Sequence, residues 1–245
     1  MIGSNILSFE KLTSTNTYAS DLLKTREVKE GTIIKASFQS AGRGQAGNGW
    51  ESEAGKNLLI SIILYPKTIP PCDQFLISMA ISLAISDFLG KEIQGCKIKW
   101  PNDIYVRNDK IAGILIENSV LDSRLVSSIA GIGLNINQKK FRGSALNPVS
   151  MSIITGKEYD IDQCLKELAM SVDKRYDSLI KGEYKLIRSD YISRLYRINE
   201  WFSFRDQKKT FTGRIVSVNE SGMLIIENRK GTMKEYAFKE IDFIL

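Results

Sequence analysis

The chain has 245 residues, 43% of them hydrophobic and 25% charged, with a net charge of +6. That length predicts one large domain plus a small one and enough apolar material for a sizeable core, while the mild basicity suits anionic partners such as nucleotides without demanding nucleic acid. Histidine is absent, which excludes Ser-His-Asp triads, Cys-His pairs and His-based metal sites and leaves acid–base and electrostatic work to Lys, Arg, Asp, Glu, Asn, Tyr and backbone amides.

The opening residues Met1 to Asn5 carry no basic segment ahead of an apolar run, so no signal peptide is expected. Ile6 to Phe9 reads as a short strand, and Ser14 as the N-cap of a helix over 15–25. Gly31 to Phe38 reads as a strand, residues 39–56 as a long Gly-rich loop, and Asn57 to Tyr65 as a strongly apolar strand. After Pro70-Pro71, apolar residues at helical spacing (Phe75, Leu76, Met79, Leu83, Phe88) predict a helix over 73–89. Ser78, Ser82, Ser86 and Asp87 interrupt it, which marks a core helix and not a membrane span. Cys96 to Trp100 reads as a strand stopped by Pro101, and 103–106 with 110–117 as a hairpin. Leu125 to Asn137 is a further strand, followed by amphipathic helices over 161–181 and roughly 183–197. From Trp201 onward, short alternating strands separated by turns at 219–222 and 229–231 read as a small β-barrel. Together these predict an α+β fold: a mixed, mostly antiparallel sheet backed by helices over 1–198, and a barrel over 199–245. Cys72, Cys96 and Cys164 have neither disulfide nor zinc spacing and read as thiols of a reducing cytoplasm.

Four segments carry candidate chemistry. Gly42, Gly44 and Gly47 satisfy G-x-G-x-x-G, but Asn48 to Ser52 opens no helix, so the dinucleotide fingerprint fails on context. What remains is a loop whose unhindered amides suit an anion and whose Arg43 grips phosphate or carboxylate; a plain surface loop is the alternative. Asn102 and Asp103 follow Pro101 at a strand exit, where polar groups face a ligand or Mg²⁺, although a plain turn fits as well. Lys110 opens an otherwise apolar strand holding Gly113; alone it reads as a solvated strand-end lysine. Gly131 and Gly133 leave room for something flat against a strand that also carries Asn135 and Asn137, and a bulged core strand is the plainer reading.

In this order and spacing, Ser14-Thr15-Asn16, the 42–49 loop, Lys99 to Asp103, Lys110 to Glu117 and Gly131 to Asn137 resemble the catalytic domain of biotin–protein ligases over residues 6–195. The resemblance implies an SH2-like, class II synthetase-like domain followed by an SH3-like barrel. It implies activation of biotin by ATP with Mg²⁺ on the phosphates, then transfer to a lysine of a biotin carboxyl carrier protein. It sets Ser14, Thr15, Asn16, Gln39, Arg43, Gly44, Gln45, Lys110, Gly113, Gly131 and Gly133 at biotin, with Arg43 and Lys110 catalytic. Trp50, Asn102, Lys110 and Asn135 fall to the nucleotide, with no metal ligand assigned. The family's loop usually reads Gly-Arg-Gly-Arg with further basic residues; here Gln45, Ala46 and Asn48 stand at three basic positions.

The neighbouring alternative is a lipoate–protein ligase or octanoyl transferase of the same fold, but no cysteine lies in a motif segment to carry an acyl group. A repressor with an N-terminal DNA-reading domain has no room ahead of residue 6, and Trp201, Phe202, Phe204, Arg205 and Phe211 read as core aromatics with their neighbours before they read as a nucleic-acid platform. The expected partners are therefore biotin, ATP and the carrier protein, without nucleic acid or membrane, and with room for a homodimer.

Overall fold

The computed structural model describes residues 1–142, 147–206 and 209–244. In chain order its elements are β1 (Ile6–Leu12), α1 (Thr15–Thr25), β2 (Ile33–Gln39), β3 (Asn57–Leu64), α2 (Phe75–Leu89), β4 (Cys96–Lys99), β5 (Asp103–Val106), β6 (Asp109–Leu121), β7 (Arg124–Asn135), α3 (Met151–Thr155), α4 (Ile161–Ile180) and α5 (Tyr184–Ser193). Then follow β8 (Trp201–Asp206), β9 (Thr210–Val218), β10 (Leu224–Asn228), β11 (Met233–Tyr236) and β12 (Ile241–Phe243). The predicted order of the first part holds, with α3 added. One turn and a half is too short to show a helical period, and it is Ser150 that starts it, accepting from the Ile153 amide.

The first sheet runs β1-β2-β3-β7-β6-β5-β4, with β1 parallel to β2 and all other neighbours antiparallel. All eight residues of β3 are buried, so both faces of the sheet must be covered there. Leu58, Ile60, Ile62 and Leu64 alternate into the main core with α2, α4 and α5. On the opposite face Ile63 joins Ile34 and Ile129 beneath Ala19 and Leu22 of α1. The segment 71–89 is the one described stretch long and apolar enough to cross a membrane, and 72% of it is buried inside this fold. Its α2 packs against α4 and α5 as the central core helix.

The C-terminal strands correct the expected barrel. They form an open antiparallel sheet in the order β11-β10-β9-β8-β12, and neither sheet closes on itself. Its edge strands have four and three residues, too little backbone for the staggered pairing that closure requires. One face is buried instead against the rest of the molecule: Phe204, Ile215, Leu224, Ile226, Tyr236 and Ile241 belong to the same hydrophobic cluster as the first sheet. Alternating strands and regular turns are common to a barrel and to a sheet covered on one side, so the sequence pattern does not separate them.

The two sheets meet tightly at Gly222. Its carbonyl accepts the Trp100 indole N–H at 2.8 Å, its φ is +91°, and a Cβ there would lie 2.7 Å from Phe75 Cδ2. Gly222→Ala combines a left-handed backbone with overpacking, and is expected to lower stability by about 2–4 kcal/mol. A denaturant midpoint within error of wild type would contradict this.

Candidate active site

The site is set by cross-strand register. Gly133 of β7 lies opposite Leu59 of β3 and Gly113 of β6, and Gly131 lies opposite Ser61 and Leu115. Directly paired residues share a face, and Ser61 faces α1, because its hydroxyl lies 2.7 Å from Thr15 Oγ1 and 2.5 Å from Asn16 Oδ1. The three glycines therefore cut a trough into the α1 side of the sheet.

The N-terminus of α1 closes one end of the trough. Ser14, Thr15 and Asn16 are all buried. The Thr15 amide donates to Gln39 Oε1 at 2.7 Å, and the Thr15 hydroxyl to the same oxygen at 3.1 Å. Asn16 Nδ2 donates to the Leu115 carbonyl (3.2 Å) and to Glu117 Oε2 (2.7 Å). Ser14 sits at the cap position as expected, but its hydroxyl makes no cap hydrogen bond.

The Gly-rich loop is an arm folded over the trough. Arg43 and Gly49 form an antiparallel bridge, the Gly44 amide donates to Asn48 O at 2.7 Å, and the Trp50 amide to Gly42 O at 2.9 Å. This lays the Trp50 indole on the glycines. A Cβ on Gly113 would be 2.8 Å from Trp50 Cζ3, and one on Gly133 2.7 Å from both Cζ2 and Nε1. The indole N–H is buried and finds no partner among the described residues, a resting place that costs roughly 1–3 kcal/mol against a satisfied one.

Arg43 and Lys110 come from different segments and reach the same space. Each is held by a carboxylate: Arg43 Nη2 lies 2.6 Å from Glu117 Oε1, and Lys110 Nζ 2.7 Å from Asp103 Oδ1. Lys110 also stands 5.6 Å over the Trp50 ring. Asn102 is fixed by two bonds to Ile114, donating through Nδ2 at 2.6 Å and accepting its amide at 2.9 Å. With one exception, every residue that the resemblance sets at biotin or the nucleotide lines a single cavity. The exception is Asn135, whose Nδ2 donates to the Val149 carbonyl at 3.0 Å away from that space.

The cavity measures only about 50 Å³, room for a few waters and far below the roughly 300–1,000 Å³ of small-molecule sites. Trp50 fills the rest. Two residues that organise the site were not assigned a role in the sequence. Ser61 is a lone hydroxyl inside the apolar run of β3, and Glu117 a lone carboxylate ending the apolar part of β6. A polar group that breaks an apolar strand is the signal that finds both.

Residues 8–137 match the model of the biotin/lipoate A/B protein ligase family. The chain is 29% identical to the bifunctional ligase/repressor BirA of Bacillus subtilis, over 97% of this chain and 74% of that protein. It is 30% identical to the biotin–[acetyl-CoA-carboxylase] ligase of Paracoccus denitrificans, over 81% and 85% respectively. Among solved structures, the biotin protein ligase from Aquifex aeolicus in complex with biotin and ATP superposes with a TM-score of 0.81 at 25% identity, covering 98% of this chain and 99% of that one.

Proposed function

The chain belongs to the biotin/lipoate A/B protein ligase family, and from that premise we propose that it activates biotin with ATP and transfers the biotinyl group to a lysine of a biotin carboxyl carrier protein. What carries the proposal is one cavity shared by two cations from separate segments, a trough of glycines and a cluster of neutral hydrogen-bonding side chains. Two anions must meet in the first step. A carboxylate oxygen attacks the α-phosphorus, the bond to the β-phosphate oxygen breaks, and its electron pair leaves with pyrophosphate. At ~4 Å, two unit charges repel by about 4 kcal/mol at an effective dielectric near 20, and Arg43 and Lys110 offset that repulsion. In the resting molecule Glu117 and Asp103 stand where the substrate's own anions would pair. The second step needs a neutral lysine amine at the acyl carbon and releases AMP, so Lys110 then faces the departing phosphate.

The uncharged head of biotin, a cyclic urea, needs donors and acceptors. Ser14, Thr15, Asn16 and Gln39 supply them, and Gly113, Gly131 and Gly133 let a flat ring approach the strands. Gly44, Gln45, Trp50, Asn102 and, from further off, Asn135 complete the proposed contacts to the acid and the nucleotide. Mg²⁺ would accompany the phosphates. Asn102 and Asp103 would stand beside that ion, with phosphate oxygens supplying most of its ligands. An acyl-cysteine transferase fits less well. No cysteine lines the cavity, and burial pushes the thiols of Cys96 and Cys164 up to about 11, where a thiolate nucleophile is scarce at neutral pH. Residues 1–198 act in this proposal as the catalytic part and 199–245 as its accessory, in a cytoplasmic protein with room to pair as a homodimer.

Incubation with ATP, Mg²⁺ and either biotin or lipoate tests the proposal. Acid-labile acyl-AMP is expected with biotin; its absence with biotin, or formation with lipoate alone, rejects the assignment.

Trp50 yields a separate expectation. If the displaced indole is populated at ~10%, biotin association in the absence of ATP rises roughly tenfold in Trp50→Ala. Stopped-flow traces that overlay for the two proteins would mean the indole is not in the way.

A further inference from the structure

Glu117 is the only charge between Ile111 and Leu121 of β6. It lies opposite Ile129, which packs beneath α1. Its carboxylate therefore points to the same face of the sheet as Gly113 and Leu115, just past the end of the glycine trough. Only 33% of the side chain is exposed, and a charge so covered must be partnered to be held at low cost.

The two carboxylate oxygens serve two different ends of the site. Oε2 accepts from Asn16 Nδ2 at 2.7 Å, and Oε1 from Arg43 Nη2 at 2.6 Å. Asn16 and Arg43 share no hydrogen bond of their own among the described residues. On the Asn16 side, Glu117 settles which way the carboxamide faces. Nδ2 turns to Glu117 and to the Leu115 carbonyl, which leaves Oδ1 for the Ser61 hydroxyl; the reverse orientation would set oxygen against oxygen. On the Arg43 side, Glu117 fixes a side chain that is 49% exposed and whose contact from Nη1 to Thr17 Oγ1 is long at 3.5 Å. Arg43 is bridged to Gly49, so the hold extends to the arm that carries Trp50.

This hold competes with a substrate anion for Arg43, and it also keeps the guanidinium within that anion's reach. An ion pair this exposed competes weakly, whereas ordering several loop residues afresh costs backbone entropy at each of them. The second effect is the larger, so loss of the carboxylate harms the site although it removes a competitor.

We propose that Glu117 is a positioning residue for acid activation, joining the head-group end and the acid end of the site through one carboxylate. It fixes the donor face of Asn16 and keeps Arg43 at the trough, from which the guanidinium passes to the substrate acid. The role rests on the biotin activation proposed above and adds to it a residue that acts through two others.

Glu117→Gln keeps an acceptor for Asn16 Nδ2 and removes the anion that holds Arg43. The Gly44 and Trp50 amides, which donate to Asn48 O and Gly42 O, report on the arm. Their hydrogen exchange, followed by NMR in the ligand-free full chain, is expected to quicken at least about fivefold in this variant, while the β3 amides keep their rates. In calorimetric titrations without ATP, the variant should bind biotin about tenfold more weakly, from the loss of one well-placed charge-assisted contact. Biotinol, in which an alcohol replaces the carboxylate, should change less than about twofold. Glu117→Asp, which restores the charge on a shorter stem, should recover part of both effects. Arg43→Gln severs the same pair from the other side and should quicken the same amides, and the two substitutions together should do no more than either alone. Unchanged exchange in both single variants, additive exchange in the double variant, or an equal loss of biotin and biotinol in Glu117→Gln overturns the role. A wild-type chain that forms no biotinyl-AMP would sink the activation chemistry, whereas the exchange rates of the ligand-free variants decide separately whether Glu117 holds the arm.

Discussion

Lys110→Ala is expected to slow formation of the acyl-adenylate by roughly 10²–10³-fold, the effect of losing one donor aimed at developing transition-state charge. Two changes act together. The ammonium that screens the incoming carboxylate from the phosphate is gone, and Asp103, which it neutralises at 2.7 Å, is left as a third negative charge beside them. The second change makes the loss worse than simple removal, so Asp103→Asn in the Lys110→Ala background should recover part of the rate. Lys110→Arg keeps the charge but replaces a point charge by a wider planar fork, in a space already bounded by Trp50 and Asp103, and should stay well below wild type. Single-turnover measurement of biotinyl-AMP at saturating ATP separates these outcomes. A Lys110→Ala rate within threefold of wild type would falsify the role.

Gly131→Ala is expected to abolish biotin binding although it adds one methyl group. A Cβ at this position would overlap the Asn16 carboxamide, at 2.9 Å from Cγ and 3.0 Å from Nδ2 and closer still to Oδ1. Asn16 cannot step aside cheaply. It is buried and bonded to Ser61, Leu115 O and Glu117, and each buried partner left without a bond costs about 1–3 kcal/mol. The backbone of Gly131 cannot move either, since β7 is paired on both sides at this residue. The methyl group therefore dislodges the side chain that organises the proposed head-group pocket, and releases Glu117 to change its hold on Arg43. Stability should fall by about 2–4 kcal/mol, and calorimetry at a temperature where the variant remains folded should detect no biotin binding. Gly113→Ala, by contrast, meets mainly the movable Trp50 and Lys110 side chains and should retain weak binding; equal losses at the two positions would argue against the special role of Asn16.

Much of this architecture was legible in the chain itself, and the reason differs by element. The β3 run is apolar on both faces, which only a central strand tolerates, and the α4 stripe has the period of a helix lying on a core. Spaced glycines in β6 and β7 announced a close approach to those strands. What occupies the approach in the resting molecule was not legible, because the position of Trp50 depends on how a 17-residue loop folds back, through the Arg43–Gly49 bridge and the Trp50–Gly42 hydrogen bond. The pairing of Lys110 with Asp103 and of Arg43 with Glu117 was equally hidden: single-residue spacing says which side chains are near along a strand, while these pairs depend on side-chain reach across the sheet. The mistaken barrel has the same origin. Strand lengths and turns fix local hairpins, but closure is a relation between the first and last strands of a set, and here the packing surface of the first sheet competes for the same apolar side chains.

The position of Trp50 means that the protein carries an intramolecular ligand for its own trough. Any small acid measured against it reports the difference between two occupancies, its own and that of a tethered bicyclic ring, so its apparent affinity understates the fit of the trough by the free energy of expelling the indole. The same geometry outlines an inhibitor: a flat bicyclic ring laid against Gly113 and Gly133, carrying a hydrogen-bond acceptor for whatever donor enters there, would retain the stacking and avoid the buried N–H that leaves the native ring dissatisfied.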